Sequence, residues 1–241
     1  VVLLDRETGR VWWGPIKRVP ELLSGSPGRF LTPSLDLRTG RVVWAPVTSV
    51  VVHDPPARML EVRTASGRRL VVTPDHSLIA LDEGGLGWRR ASELVPDRSY
   101  LLIPGMCRPA RRVSLPIEGA RALGAAMADG IPYGDSVLVP DDSLSFLEVA
   151  ALSGADEFRR LPGGGYEIRC PWLADAVRRG PISLLELDWR SLGAAVSEVV
   201  LRLGREDPLS GEILIFGEED WLAQLAVCLS FAGIIVSRMG E

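Results

Sequence analysis

Residues 123–130 read LGAAMADG, and residues 192–199 read LGAAVSEV. The first four letters are identical. Met127 then matches Val196, Ala128 matches Ser197, and Asp129 matches Glu198, so each copy carries one acid at its seventh position. Each copy lies in an alanine-rich run that predicts a helix: IEGARALGAAMADG, stopped by a glycine, and DWRSLGAAVSEVVLRLG. The sequels match too. DSVLVP (a strand) and DSLSFLEVAALSG (a helix) follow the first copy; GEILIFG and EEDWLAQLAVCLSFAGI follow the second. Between them lie a hairpin, EFRRLPGGGYEIRC, and a proline-opened helix, PWLADAVRRG. This half therefore reads as an αββα-type unit repeated, the second copy cut off by the end of the sequence. Small residues on one face let two helices approach closely. A pseudo-two-fold pair would bring Asp129 and Glu198 together where both helices end. One copy alone would mark ordinary small-residue packing; two copies with an acid at the same place point to a site. Two carboxylates with no base beside them repel each other unless a divalent cation lies between. Mg2+, a hard ion that takes oxygen ligands, suits such a pair.

Working toward the N-terminus, the pattern changes. VVLLD, RVWWGPI, RVVWAPVTSVVVH, MLEVRTA and RRLVVT are short β-branched or aromatic runs. RETG, SGSPG, LRTG, HDPPA and ASG separate them as turns. That spacing predicts an all-β sandwich or closed roll. RRASELVPDRSYLLIP adds a helix-like turn opened by Ser92 and one more strand, and PGMCRPARR reads as a linker. Charge divides at the same place. Residues 1–120 hold 17 Lys+Arg against 12 Asp+Glu, and residues 121–241 hold 10 against 19. Such a shift suggests two domains.

Composition sets the outer bounds. The hydrophobic fraction of 46% and charged fraction of 24% are those of a globular chain. No apolar run approaches the length of a membrane span, and the start lacks the layout of a signal peptide. Cys107, Cys170 and Cys228 are odd in number and far apart, which implies neither a zinc site nor a disulfide framework. A reducing cytoplasm is the expected compartment.

One stretch raises a question that the strand pattern alone leaves open. LVVTPDHSLIAL, residues 70–81, predicts a strand, a tight turn and a second strand, with His76 at the tip. The chain has only two histidines. The other, His53 in VVVHDPP, reads as a strand-end residue before a Pro-Pro turn.

Three features together, LVVTPDHSL, WRRASELVPDRSYLLIP and the paired LGAAMADG/LGAAVSEV, resemble an archaeal-type intein. The β-rich half resembles its Hint splicing domain, and the second half resembles the LAGLIDADG homing endonucleases. The resemblance implies an α+β architecture. An all-β Hint domain, a horseshoe-like β-roll, would span residues 1–105. A linker would span 106–115. An α/β LAGLIDADG domain with pseudo-two-fold repeats, the second truncated, would span 116–241. It also implies two chemistries. In splicing (acyl shift, transesterification and asparagine cyclisation), His76 would protonate the scissile amide nitrogen and Thr73 would hold the junction peptide. In the endonuclease, Asp129 and Glu198 would hold Mg2+ and position water for hydrolysis of double-stranded DNA, with Arg159, Arg160 and Arg169 on the hairpin reading the major groove. Implied partners are duplex DNA, the flanking extein segments of a host such as an archaeal replication DNA polymerase, and a complementary C-terminal intein fragment.

The sequence also departs from the pattern. It begins at Val1 inside the first strand and ends at IIVSRMGE, without the upstream nucleophile or a terminal His-Asn. As written, the chain is expected not to splice, and to be a fragment, a trimmed form or one part of a split element. Val199 stands where a glycine usually follows the second acid, and the half is acidic where a DNA-binding surface needs Arg and Lys. The endonuclease is therefore expected to be weak or lost. The other reading is a non-catalytic LAGLIDADG-like module for DNA binding or regulation.

Overall fold

A computed structural model describes residues 1–24, 26, 28–54, 56–102, 113–140, 144–153 and 157–237. The chain is mixed α and β, with several small antiparallel sheets, and it divides into two compact units. One comprises Val1–Ser49 with Gly105–Ile234, the other Val50–Pro104 with Ile235–Glu241. This division does not coincide with the boundary read at 106–115, of which residues 106–112 lie outside the described residues. Among the described residues no helix is long and apolar enough to cross a membrane.

The first unit opens with β1 (Val2–Asp5), β2 (Val11–Trp13), a short helix α1 (Val19–Leu23), β3 (Phe30–Asp36) and β4 (Arg41–Pro46). They form an antiparallel sheet in the order β2-β1-β3-β4. Leu3, Val19 and Phe30 make its small core, with Trp12, Leu22, Leu23 and Val47 packed around them. β3 is not expected from the sequence because Pro33 interrupts it, and a proline usually demotes a strand. Here β3 pairs with β1 only through Phe30 and Leu31, so Pro33 lies past that ladder. β4 stops at Pro46, and residues 47–53 are irregular rather than strand.

Asp5 ends β1 and is buried. Arg29 grips it with two bonds, Nε to Oδ1 at 3.0 Å and Nη2 to Oδ2 at 2.6 Å. The Arg29 hydrogen bonds hold the Asp5 carboxyl far below the usual carboxylate range, although burial opposes the shift. A depressed folded value means that the pair stabilises the fold above the unfolded value, near about pH 4. That stabilisation is lost as the pH falls toward the folded value. Arg29→Met should cost about 1–3 kcal/mol at neutral pH and should flatten the acid limb of a plot of Tm against pH. Parallel acid limbs in the two proteins would refute this account.

The second unit holds β5 (Leu60–Arg63), β6 (Arg69–Val72), β7 (Ser77–Asp82), β8 (Gly85–Arg90) and β9 (Tyr100–Leu101). β5 and β6 form one hairpin, and β8-β7-β9 form a separate sheet. The stretch 70–81 is thus not a hairpin. Its two strands flank a turn but pair elsewhere, β6 with β5 and β7 with β8 and β9. No closed roll exists among the described residues; the expected single β-roll is spread over small open sheets. In β8-β7-β9 the pairing puts Leu81, Leu86 and Tyr100 in one row and Ile79 and Trp88 in the row two residues away, on the same face. Trp88 and Tyr100 are largely exposed there, and the buried hydrophobic residues described in this unit are only Val72, Ala80 and Ala91.

The rest of the first unit runs α2 (Ile117–Asp129), β10 (Ile131–Tyr133), β11 (Ser136–Val139), α3 (Phe146–Ser153), β12 (Phe158–Arg160), β13 (Tyr166–Arg169) and α4 (Pro171–Arg179). A 3-10 turn at Pro181–Glu186 follows, then α5 (Trp189–Leu203), β14 (Arg205–Glu206), β15 (Ile213–Leu214) and α6 (Glu219–Phe231). The order β10-β11-β13-β12 gives a second antiparallel sheet. Its inner rows bury Val137, Val139 and Ile168, and the helices contribute Leu123, Leu173, Leu192, Val196, Val199 and Leu225. Within this unit β2 is pinned to the helical part. The Val11 N–H donates to Glu186 Oε1 at 3.0 Å, Arg179 Nη1 donates to the same oxygen at 2.6 Å, and Trp13 Nε1 donates to Asp220 Oδ1 at 2.9 Å. These bonds tie the N-terminal strands to the helical half across most of the sequence.

Candidate functional site

The helix pair α2/α5 is present, but in a different register from the one the letters suggest. α2 ends at Gly130, with φ −73° and ψ 137°, and α5 ends at Gly204, with φ −73° and ψ 136°. A Cβ at Gly130 would strike Ala126 O and the Val137 side chain; at Gly204 it would strike Val200 O and the Ile213 side chain. Both ends are therefore closed by the second strand of the hairpin that follows, β11 and β15, at the same point. The two glycines are 74 residues apart. The same interval recurs before the helices, where Val113 and Leu187 form a parallel bridge. It recurs again at the crossing, where a Cβ on Gly124 would stand 2.3 Å from Ala195 O and 2.8 Å from Glu198 Cβ. Gly193, the counterpart of Gly124 by letters, has nothing within 4 Å of its Cβ position.

This register changes the site. Asp129, before Gly130, corresponds to Leu203, before Gly204. Glu198 corresponds to Gly124, in mid-helix. The closing glycine of the second copy is therefore present, and the residue preceding it is not an acid. Val199, expected at the helix end, lies inside α5 and is fully buried. Glu198 sits five residues before Leu203, about 7.5 Å back along the axis.

Asp129 and Glu198 do meet a common group, a guanidinium. Arg202 Nη1 donates to Asp129 Oδ2 at 3.1 Å and Arg202 Nε to Glu198 Oε1 at 2.9 Å. Glu198 also accepts from Arg121 Nε at 3.2 Å, and Arg121 Nη1 lies 3.4 Å from Glu148 Oε1. Glu148 in turn accepts from the Ser145 N–H at 2.8 Å. The result is a chain of alternating charge, Glu148–Arg121–Glu198–Arg202–Asp129. The Glu198 and Arg202 side chains are each 9% exposed, whereas that of Asp129 is 34% exposed. Sequence reading missed Arg121 and Arg202. A donor set with a guanidinium bonded to both carboxylates does not fit Mg2+, which is held by oxygen ligands. Among the described residues no three His, Cys, Asp or Glu side chains group as metal ligands.

In the other unit, Thr73-Pro74-Asp75-His76 is a tight turn closed by the His76 N–H on Thr73 O at 3.1 Å. His76 is exposed and Thr73 half-buried. The two sequence motifs of the β-rich half are brought together here. The Ala91 N–H donates to His76 O at 2.8 Å and the Ser92 N–H to Pro74 O at 3.0 Å. Ser92 lies in the 3-10 turn Ala91–Glu93 that opens the SELVPDRSY segment. Further along, Ser99 Oγ accepts from the Val95 N–H at 2.9 Å, which gives that residue a structural task.

The three hairpin arginines do not share one face. Arg159 pairs with Glu167 across β12/β13, and Arg169 lies two residues further along β13, so these two point the same way. Arg160, adjacent to Arg159, points to the other side. Tyr133 and Ile131 share the outward face with Arg159 and Arg169, and both are exposed. Each of those arginines has an acid beside it, Glu167 for Arg159 and Glu157 at 3.9 Å for Arg169. Cys170 and Cys228 are free and buried, and burial pushes both thiols up. Cys107 lies outside the described residues.

Fold and site together define a mixed α+β protein with a pseudo-two-fold helix pair in one unit and a histidine-bearing turn in the other. Over 58 residues, 24% of the chain, it is 34% identical to a DNA polymerase II large subunit of Haloquadratum walsbyi (strain DSM 16790 / HBSQ001). The match spans 2% of that subunit's length. No protein-family model matches the chain.

Proposed function

We propose that the chain is an intein-type protein-splicing element carrying a LAGLIDADG-like helical module whose DNA cleavage is weak or lost. The observation that carries this reading is the helix pair, whose two copies share a 74-residue interval at the bridge just before them, at their crossing and at their closing glycines. It follows a β-rich half whose Thr73–His76 turn is bonded to the SELVPDRSY segment. In splicing, an amide nitrogen is a poor leaving group, and a general acid of near-neutral pKa is the appropriate tool. His76 donates a proton to that nitrogen, and the Thr73 hydroxyl holds the junction peptide. The exposed apolar face of β8-β7-β9 supports the same reading, since further strands of a splicing fold would cover it. The similarity to a stretch of a DNA polymerase subunit supports a replication-protein host. The residues at the helix pair do not fit Mg2+, because Arg202 already occupies both carboxylates.

The test is to express the chain with the segments encoded on either side of it and to look for ligated flanks by mass spectrometry. Joined flanks are expected, and His76→Ala should block the upstream step. Flanks that stay unjoined, with the junction residues present in the gene, would refute splicing. A second reading, a non-catalytic duplex-DNA-binding module, has one observation in its favour: Arg159, Arg169 and Tyr133 on one outward sheet face. Salt-dependent DNA binding by a chain that does not splice would select it.

A further inference from the structure

We propose that Arg202 takes the place of a metal ion in the helix pair, so that this seam is held by an internal cation and excludes divalent ions. The inference rests on the nuclease-like reading only for the expectation that a metal would sit there. Two independent observations carry the rest. First, the structural register puts Leu203, an apolar residue, at the position equivalent to Asp129, so the helix ends offer one carboxylate instead of two. Second, the acid that remains is already bonded. Arg202, one residue before Leu203, reaches from α5 to Asp129 and simultaneously holds Glu198.

The side chain of Arg202 is 9% exposed, so its charge is largely withdrawn from water where it meets those two carboxylates. A guanidinium offers donors in a planar fork and cannot be deprotonated, so it satisfies two separate carboxylates without any exchangeable ligand. A divalent ion entering between Asp129 and Glu198 would have to displace this buried cation from both carboxylates, which is strongly unfavourable. Arg121 reinforces the arrangement from α2, since it supplies a second cation to Glu198.

The experiment titrates Mn2+ by calorimetry and Tb3+ by luminescence into the whole chain. The wild type should show no saturable site that Asp129→Asn removes. The double variant Arg202→Gln/Leu203→Asp should gain such a site, with affinity more than about tenfold above any wild-type binding, and should lose it on Asp129→Asn. Leu203→Asp alone, with Arg202 retained, should bind no tighter than the wild type. A wild-type site that depends on Asp129 overturns the proposal. So does a double variant that stays folded by circular dichroism yet gains no binding. If the double variant does not fold, the wild-type titration decides alone: Asp129-dependent binding overturns the proposal and its absence upholds it. Neither result bears on splicing, which flank ligation tests separately.

Discussion

Replacing Glu198 with alanine should lower the stability of the first unit by about 3 kcal/mol, the lower end of the usual cost of removing one partner of a buried ion pair, because Arg202 keeps Asp129 and Arg121 is half exposed and keeps Glu148. The reason lies in the order of the charges. Glu198 stands between Arg121 and Arg202 and bonds to both. Its loss leaves two guanidinium groups facing each other across the seam, with Glu148 and Asp129 only at the outer ends. The Arg202 side chain, 9% exposed, is largely withdrawn from water. For a unit of this size the change amounts to a drop in Tm of about 6–12 °C. Asp129→Ala should cost much less, about 1 kcal/mol, because Asp129 is partly solvated and Arg202 keeps Glu198. Thermal melts of the two variants side by side would check this. If Glu198→Ala melts at or above the wild-type temperature, Glu198 is a strained functional acid rather than a structural one.

Gly124→Leu should have an effect of similar size. The Cβ that any other residue adds at this position meets Ala195 O at 2.3 Å and Glu198 Cβ at 2.8 Å. Neither atom is the far end of a flexible side chain; one is backbone. The helices must therefore separate, and the residues that line the seam lose their contacts. Overpacking of this kind costs about 1–3 kcal/mol and sometimes more, and here the expected loss is at the upper end. Gly193→Leu is the control, since nothing lies within 4 Å of its Cβ position. It should change stability little. Denaturant midpoints for both variants would settle the matter. Equal losses at the two glycines would mean that the helices cross in the register of the LGAA letters after all.

The contrast between these two glycines shows how far the letters reach. Most helices of the second half were legible because each has its own stop or start. Gly130 ends α2, Pro171 opens α4, and Asp188 caps α5 by accepting the Ser191 N–H at 2.8 Å. The alternating strands β1, β2, β5 and β6 were legible for the same local reason. β3 was hidden by Pro33, and β10 and the 3-10 turn Pro181–Glu186 by their brevity. The candidate site was legible only in part. Asp129 does lie immediately before a glycine that ends a helix. Its partner was sought by matching LGAA to LGAA, which led to Glu198. Matching helix stop to helix stop, Gly130 to Gly204, would have led to Leu203, and the missing acid would have been visible. The same alignment would have shown Arg202 one residue before it.

By itself, then, the sequence determined that two small-residue helices occur in repeated surroundings, that a β-rich half precedes them, and that a histidine sits in a tight turn. These are properties of neighbouring residues: turn chemistry, capping and periodicity act over a few positions. Only the tertiary structure decided which residues of the two helices face each other, because register depends on where each helix is stopped by the hairpin that follows and on which glycine lets the backbones touch. It also decided that residues 1–49 belong with the helical half, through bonds such as Val11 N–H to Glu186, and that Asp129 and Glu198 share an arginine. Those contacts join residues far apart in the chain, or residues whose letters gave no reason to pair them, and no local preference encodes them.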